Sequence, residues 1–319
     1  MGKYLVRRIL ILIPALLGIS LVLFTVLALA PGDPFGELAT NPNVPPEVRA
    51  NLRAQFGLDD PVPVRYLRWV AAMVKGDWGF SFVSRINVST LIMQRLPTTL
   101  FVLGTAQLLG LLVAIPIGIY SAVRPYSFFD QIATTFAFIG FSLPTFFTGL
   151  LFILLFSIYL DWLPFIYRAD IAGTGWRWAW AMARQAIMPI AVLGLFQAAT
   201  VTRFVRSAVL EVIRLDYVNT ARSKGLSERV TIFKHVVRNA LIPVVTLVAL
   251  QIPGIFTGAV ITEQIFRVPG IGSLLISSIL ANDTPVIMSI TFVFSALVLI
   301  FNLLADLVYG WLDPRISYR

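Results

Sequence analysis

From Ile9 to Ala30 the chain runs without a charged side chain, and five further long apolar stretches follow: Thr98–Val123, Ile132–Leu160, Ile187–Thr202, Leu241–Thr262 and Val286–Leu312. A helix rises about 1.5 Å per residue, so about 20 apolar residues cross the ~30 Å hydrocarbon core of a bilayer. Inside that core every backbone N–H and C=O needs a partner within the protein, which leaves helices or closed barrels as spanning structures. Stretches this long and apolar on every face are helices, so the sequence predicts an all-α membrane protein with six transmembrane helices. Composition agrees: 58% of the 319 residues are apolar and only 13% are charged, against about 25% charged in an ordinary soluble domain. The fourth stretch is the shortest and carries Pro189 and Gln197, yet its run of Ile, Val and Leu still favours a span.

Lys3, Arg7 and Arg8 ahead of the first stretch, with Ala28-Leu29-Ala30 at its end, also fit a secretory signal peptide. Signal cores run only about 7–15 residues, so a retained helix is the expectation. The same basic residues, with the cluster from Arg203 to Arg238, belong on the cytoplasmic side by the positive-inside rule, which puts both termini there. A formal charge of +9 is then explained by topology and anionic lipid rather than by nucleic acid. The absence of cysteine excludes disulfides and thiol chemistry, and His235, the sole histidine, cannot build a multi-histidine metal site.

The chain divides into residues 1–30, a cytoplasmic N-terminus with the first span; residues 31–97, a small extracytoplasmic subdomain; and residues 98–319, the remaining spans with a cytoplasmic loop at 203–240. Within the subdomain, Pro45-Pro46-Glu47 opens a predicted helix Glu47–Phe56 that stops at Gly57. A second helix, Val64–Val74, mixes Arg65 and Arg68 with Tyr66, Leu67 and Trp69, and suits either the headgroup level or a packed subdomain. Trp162, Trp176, Trp178 and Trp180 read as interface anchors, with a cation cage as the alternative.

A loop of about 40 residues between the fourth and fifth spans is longer than a simple connection needs. Asp216 can cap a helix Tyr217–Lys224 that ends at Gly225, and Ser227 can cap a second helix on which Val230, Phe233, Val237 and Leu241 recur at helical spacing. Asn219, Thr220 and Ala221 are small, and at the tip of the loop would admit the close approach of another protein surface.

At these residues the chain resembles the inner-membrane permeases of bacterial ABC importers, in the dipeptide/oligopeptide/nickel branch. The family pattern is Glu-Ala-Ala, three residues, Gly, nine residues, Ile-x-Leu-Pro. Asn219-Thr220-Ala221 and Gly225 fall on its first part, while His235-Val236-Val237-Arg238 stands where Ile-x-Leu-Pro would, so the Glu and the Pro are replaced. The run from Asp216 to Leu226 and Arg238-Asn239-Ala240-Leu241-Ile242-Pro243 look like the peptide branch. So do Ala30-Pro31-Gly32-Asp33-Pro34, Gly57-Leu58-Asp59, Leu96-Pro97-Thr98-Thr99-Leu100, Glu263-Gln264-Ile265-Phe266, Pro269-Gly270-Ile271-Gly272 and Asp313-Pro314-Arg315, in the family's order.

The resemblance implies a type I ABC importer permease of the bacterial inner membrane, one of two homologous permease subunits. Its further partners would be two nucleotide-binding ATPase subunits, an extracytoplasmic substrate-binding protein and membrane lipid. Its cargo would be a peptide, or else glutathione or a nickel chelate. It also implies that Asp216, Tyr217, Asn219, Thr220, Ala221, Arg222, Lys224, Gly225 and Leu226 form a coupling helix docked into an ATPase, where a bulky residue at Ala221 would uncouple hydrolysis from uptake. No Gly-x-x-x-x-Gly-Lys-Ser/Thr occurs, so ATP and Mg belong on partner subunits, and no catalytic residue, cofactor or metal is expected on this chain.

Polar residues within spans are costly in lipid and face either a cavity or another helix. Gln107, Ser142, Gln197, Thr200, Gln251 and Thr257 are therefore candidates for lining a path or for interhelical bonding, Gly254 and Gly258 permit close helix packing, and Pro144 predicts a kink in the third span. Two rivals carry less. An ion-coupled carrier would place ionisable groups near the midplane, whereas Asp130, Asp161 and Asp306 fall towards span ends. An intramembrane hydrolase would need a Ser/His pair, an Asp pair or metal ligands within the spans, and the sequence offers none.

Overall fold

The computed structural model describes the backbone of residues 2–29, 47, 59–168 and 174–312, and the side chains of these except 2–7, 9, 252–258 and 305–312. The predicted helix Glu47–Phe56 therefore lies outside the described residues, apart from Glu47. Eleven α-helices are described: α1 Gly2–Leu29, α2 Val62–Val74, α3 Val88–Val123, α4 Phe128–Ser142, α5 Thr145–Phe152, α6 Trp176–Val212, α7 Asp216–Ser223, α8 Glu228–Val230, α9 Arg238–Phe266, α10 Ile271–Leu280 and α11 Thr284–Leu312. Two π-helical segments, Ile153–Tyr159 and Thr231–Val237, continue α5 and join α8 to α9. Such wide turns occur often at functional places in helices.

Among the described residues five helices are long and apolar enough to cross a membrane, and two bent pairs bring the number to at most seven. The expected six is thus approximate, and the third span departs most from expectation. Pro144 does not kink one helix; it separates two. Leu143, just before it, is extended (φ −84°, ψ 127°), as the proline ring demands of the preceding residue, and the axes of the two halves turn by 104°. Each half has 15 residues, about 22 Å of helix, which is short of the bilayer core. The fourth span, by contrast, belongs to the longest helix, the 37-residue α6.

The chain folds as two compact units, residues 1–97 with 274–299 and residues 98–273 with 300–319. In the first, α2 is held to α1: Tyr66 Oη lies 3.0 Å from Ser20 Oγ and donates to the Leu17 carbonyl at 3.1 Å. The rings of Phe24 and Tyr66 meet edge to face at 5.5 Å, so α2 is packed against a span through its aromatic face. The 81–84 turn is organised by Asp283, whose buried carboxylate accepts from Ser81 Oγ and from the amides of Phe82 and Val83 at 3.2 and 3.3 Å.

In the second unit, α3 carries Ala106, Gly110, Ala114, Gly118 and Ala122, a small residue every fourth position on one face. Without a hydrophobic drive between helices in lipid, close backbone approach is what holds them, and small residues permit it. A Cβ on Gly118 would stand 2.7 Å from Val205 Cβ and 2.9 Å from the Thr202 carbonyl oxygen of α6. Ala114, Ala122, Ala198, Val201, Val205 and Val209 form the buried seam. Gly118→Ala therefore forces the helices apart, with an expected loss of about 1–3 kcal/mol, seen as a lowered thermal midpoint of the purified protein. Gly104→Ala, with no atom within 4 Å of the new Cβ, serves as the neutral control.

A buried carboxylate also explains the Pro-Gly-Ile-Gly block. Glu263, 2% exposed, accepts from Thr99 Oγ1 at 2.6 Å and from Ser273 N at 3.0 Å, while Thr99 Oγ1 accepts from Ile271 N at 2.8 Å. A Cβ on Gly270 would collide with this carboxylate, and one on Gly272 would stand 2.7 Å from Val260 Cα. Glycine is needed there so that the turn can fold over Glu263, and the chain then enters α10 at 81° to the end of α9.

Candidate functional site

The loop after α6 forms a closed device. Helix α7 starts at Asp216 with Leu215 in the N-cap position and no side-chain cap. Asp216 thus stands inside the first turn, where its charge suits the helix dipole, rather than capping as expected. Ser227 occupies the N-cap of α8 but makes no cap bond either. The stop is as the sequence predicts. Gly225 takes φ +80°, its amide donates to the Arg222 carbonyl at 2.9 Å, and Leu226 N donates to the Ala221 carbonyl at 3.3 Å. These two bonds with a left-handed glycine make a Schellman closure.

Two side-chain links fix α7 to α8 and α9. Arg222 donates to both carboxylate oxygens of Glu228 through one guanidinium edge, from Nη2 at 2.8 Å and Nε at 3.1 Å. Both groups are solvated, so the pair contributes less than about 1 kcal/mol and mainly sets the corner. Asn239 Nδ2 donates to Tyr217 Oη at 3.2 Å and to the His235 carbonyl at 2.7 Å. On the inner face Val218 (0% exposed) packs with Val205, Val209, Val236 and Ala240, and Ala221 is likewise buried, at 6%. Ala221 therefore cannot be the side chain that meets a partner, contrary to the expectation from its smallness. Its side chain belongs to the protein's own core. The outward residues are Asp216, Tyr217, Asn219, Thr220, Arg222, Ser223, Lys224 and the apolar Leu226.

Above this loop, Asp130 at the start of α4 and Arg206 on α6 form a two-pronged ion pair, Nε–Oδ1 2.6 Å and Nη2–Oδ2 2.8 Å. Tyr126 N adds a bond at 2.8 Å and Thr134 Oγ1 one at 3.3 Å. One helical turn before Arg206, Arg203 lies over the rings of Phe141 (4.1 Å) and Phe138 (5.2 Å), a geometry worth about 0.5–2 kcal/mol.

Further along α6 is a cavity of about 690 Å³ between α3, the α4–α5 break, α6 and α9. Gln107, Gln197, Thr200 and Gln251 line it together with Phe141 and Phe146. No charged residue is among its described lining. Of the candidate polar residues, Gln107, Gln197, Thr200 and Gln251 thus converge on one space. Ser142, exposed at the end of α4, is not among its lining, and the side chain of Thr257 is outside the described residues. Gln197 Nε2 donates to Gln251 Oε1 at 3.1 Å, and Thr200 Oγ1 donates to the Phe196 carbonyl at 3.1 Å, so lining a cavity and bonding between helices are combined in one pair. Both carboxamide atoms of Gln107 are buried without a hydrogen-bond partner among the described residues. No group of three or more His, Cys, Asp or Glu suited to a metal occurs among the described residues.

The helical bundle has the fold of an ABC transporter's membrane part. It shares a TM-score of 0.51 with a chain in the crystal structure of an amino acid ABC transporter with histidines, at 13% identity, covering 75% of this chain and all of that one. The chain belongs to the family of binding-protein-dependent transport system inner membrane components, whose family model matches residues 114–318, and the companion model for the N-terminal part of such components matches residues 1–103. Among its relatives are the oligopeptide transport system permease protein AppB of Bacillus subtilis (strain 168), 41% identical, and the dipeptide transport system permease protein DppB of Escherichia coli (strain K12), 34% identical. A third is the glutathione transport system permease protein GsiC of Salmonella typhi, 36% identical. Each alignment covers the whole of both proteins.

Proposed function

We propose that this chain is a permease subunit of an ATP-driven peptide importer, receiving motion from an ATPase subunit at α7 and forming half of the cargo path through the glutamine-lined cavity. The observation that carries the reading is the loop after α6. A short helix with an outward polar face is closed at its end and pinned to α9 by Tyr217–Asn239 and to α8 by Arg222–Glu228. A rigid element of this kind moves as a body, so displacement of a docked partner reaches α6 and α9 directly. Full-length similarity to oligopeptide, dipeptide and glutathione permeases supports peptides as the cargo class.

The remaining subunits are set by this division of labour: a second permease, two ATPase subunits carrying ATP and Mg, and an extracytoplasmic binding protein. Both termini lie in the cytoplasm, with α7 on the same side. The test is co-purification followed by reconstitution into liposomes. The chain emerges with a second permease and ATPases, and peptide enters only with ATP and binding protein present. Uptake by the chain alone under an ion gradient would overturn the proposal in favour of a secondary carrier.

A further inference from the structure

A second cavity, of about 440 Å³, lies among α3, α4, α5 and α6. Val113 and Ile117 of α3, Phe129 and Ile139 of α4, and Val192 and Thr202 of α6 are among its walls, and threonine hydroxyls are the only polar side-chain groups in its described lining. Phe129 and Ile139 are exposed, so the space opens on the apolar surface of α4. Along α6 the lining runs from Val192 to Thr202, ten residues or about 15 Å. That is the depth of one leaflet, half of the ~30 Å hydrocarbon core. Spread over this length, the volume gives a cross-section of about 30 Å². Such a channel admits one hydrocarbon chain and is too narrow for a helix about 10 Å across.

The end of the cavity at Phe129 lies on the α7 side, because the neighbouring Asp130 pairs with Arg206, ten residues before α7. A cation stands at that end. Arg124 Nη1 donates to Tyr120 Oη at 3.3 Å, and its guanidinium carbon lies 5.5 Å from the centre of the Tyr120 ring. The same ring meets Phe129 edge to face at 4.7 Å, which joins the cation to the cavity wall. Arg124 is exposed and makes no ion pair among the described residues. Asp130 is already neutralised by Arg206. Tyr126 and Phe128, both exposed, flank the same turn, and tyrosine beside arginine is the composition of the headgroup level.

We infer that the cavity holds one acyl chain of an anionic phospholipid whose phosphate meets the Arg124 guanidinium. Guanidinium binds phosphate by paired, charge-assisted hydrogen bonds, and Arg124 spends only part of its donors on Tyr120. The tail replaces a void between α4 and α6, where close packing is otherwise the rule. A zwitterionic lipid offers the same tail, but its ammonium group offsets the phosphate, so headgroup charge decides occupancy. Only a membrane-spanning chain is required, whatever the cargo.

For the test, the protein is purified with the subunits that accompany it and placed in phosphatidylcholine liposomes. These contain a trace of phosphatidylglycerol with a diazirine near the end of one acyl chain, or a phosphatidylcholine with the same chain. After illumination, mass spectrometry locates the attached lipid. The phosphatidylglycerol label is expected on the stretches holding Val113 and Ile117 and Ile139, several-fold above the phosphatidylcholine level. Arg124→Gln lowers it about fivefold, the effect of one basic residue at an anionic membrane surface, and leaves the thermal midpoint unchanged. Ala133→Trp fills the cavity from its wall and removes the label; if this variant does not fold, Arg124→Gln decides alone.

Equal labelling by the two lipids, or undiminished labelling of Arg124→Gln, overturns the inference. So does the absence of label from these stretches with either lipid, which would place another subunit over the cavity. No step depends on ATP or on import, so failure of the importer reading leaves the result intact.

Discussion

Replacing Thr220 by Trp leaves the protein in the membrane at its normal level, yet cuts ATP-dependent import by about thirtyfold or more, the cost of losing about 2 kcal/mol at the centre of an interface. Thr220 stands on the outward face of α7, next to Asn219 and one turn from Ser223. Its hydroxyl donates to the Asp216 carbonyl of its own helix, at 2.9 Å. An indole there points away from this chain's core and acts on what docks. The matching change at Ala221 behaves differently. With that side chain 6% exposed, a large residue breaks the loop from inside, lowering the thermal midpoint along with transport. Measuring midpoint, ATPase rate and import for both variants separates the two faces. Thr220→Trp importing at the wild-type rate would remove α7 as the docking element.

The spacing of Val218 and Ala221, three residues apart, already marks an inner face, but on so short a helix smallness points to contact instead. The loop's architecture is legible in the sequence because it is local: a glycine that must adopt positive φ, a charged first turn and helical spacing after it. Pairings across long separations are not legible in this way. Glu263 stands one residue beyond the end of the predicted fifth span, and Asp283 three residues before the sixth. Neither reads as buried, because only the turns folded over them supply their partners.

The break at Pro144 is legible as a place but not as an angle. Proline explains why the helix stops, while 104° reflects where α4 and α5 find their packing on α6 and α9. Residues on both sides of that break line the cavity, and so the convergence of Gln107, Gln197, Thr200 and Gln251 depends on tertiary geometry. Polarity alone singles out the residues; only the fold makes them meet.

The second large effect is expected at Asp130. Its carboxylate is buried and takes two bonds from Arg206, one from a backbone amide and one from a threonine. Asp130→Ala strips these groups of their acceptor and leaves the Arg206 charge partly buried without its partner, a loss of about 3–5 kcal/mol. The expected result is a sharply lowered midpoint and little complex recovered. Pairing Asp130→Leu with Arg206→Met removes both charges, and apolar replacements of a buried pair are often neutral for stability.

That double variant decides what the pair is for. Arg206 sits ten residues before Asp216, most of that distance along α6, so the ion pair ties α4 to the helix that carries the α7 loop. An apolar contact holds the same helices together but lets them slide, whereas a two-pronged pair fixes their register. If the pair transmits motion, the double variant recovers the wild-type midpoint and hydrolyses ATP while importing poorly. If it recovers both midpoint and import, the pair serves stability alone, and α4 moves with α6 through packing without it.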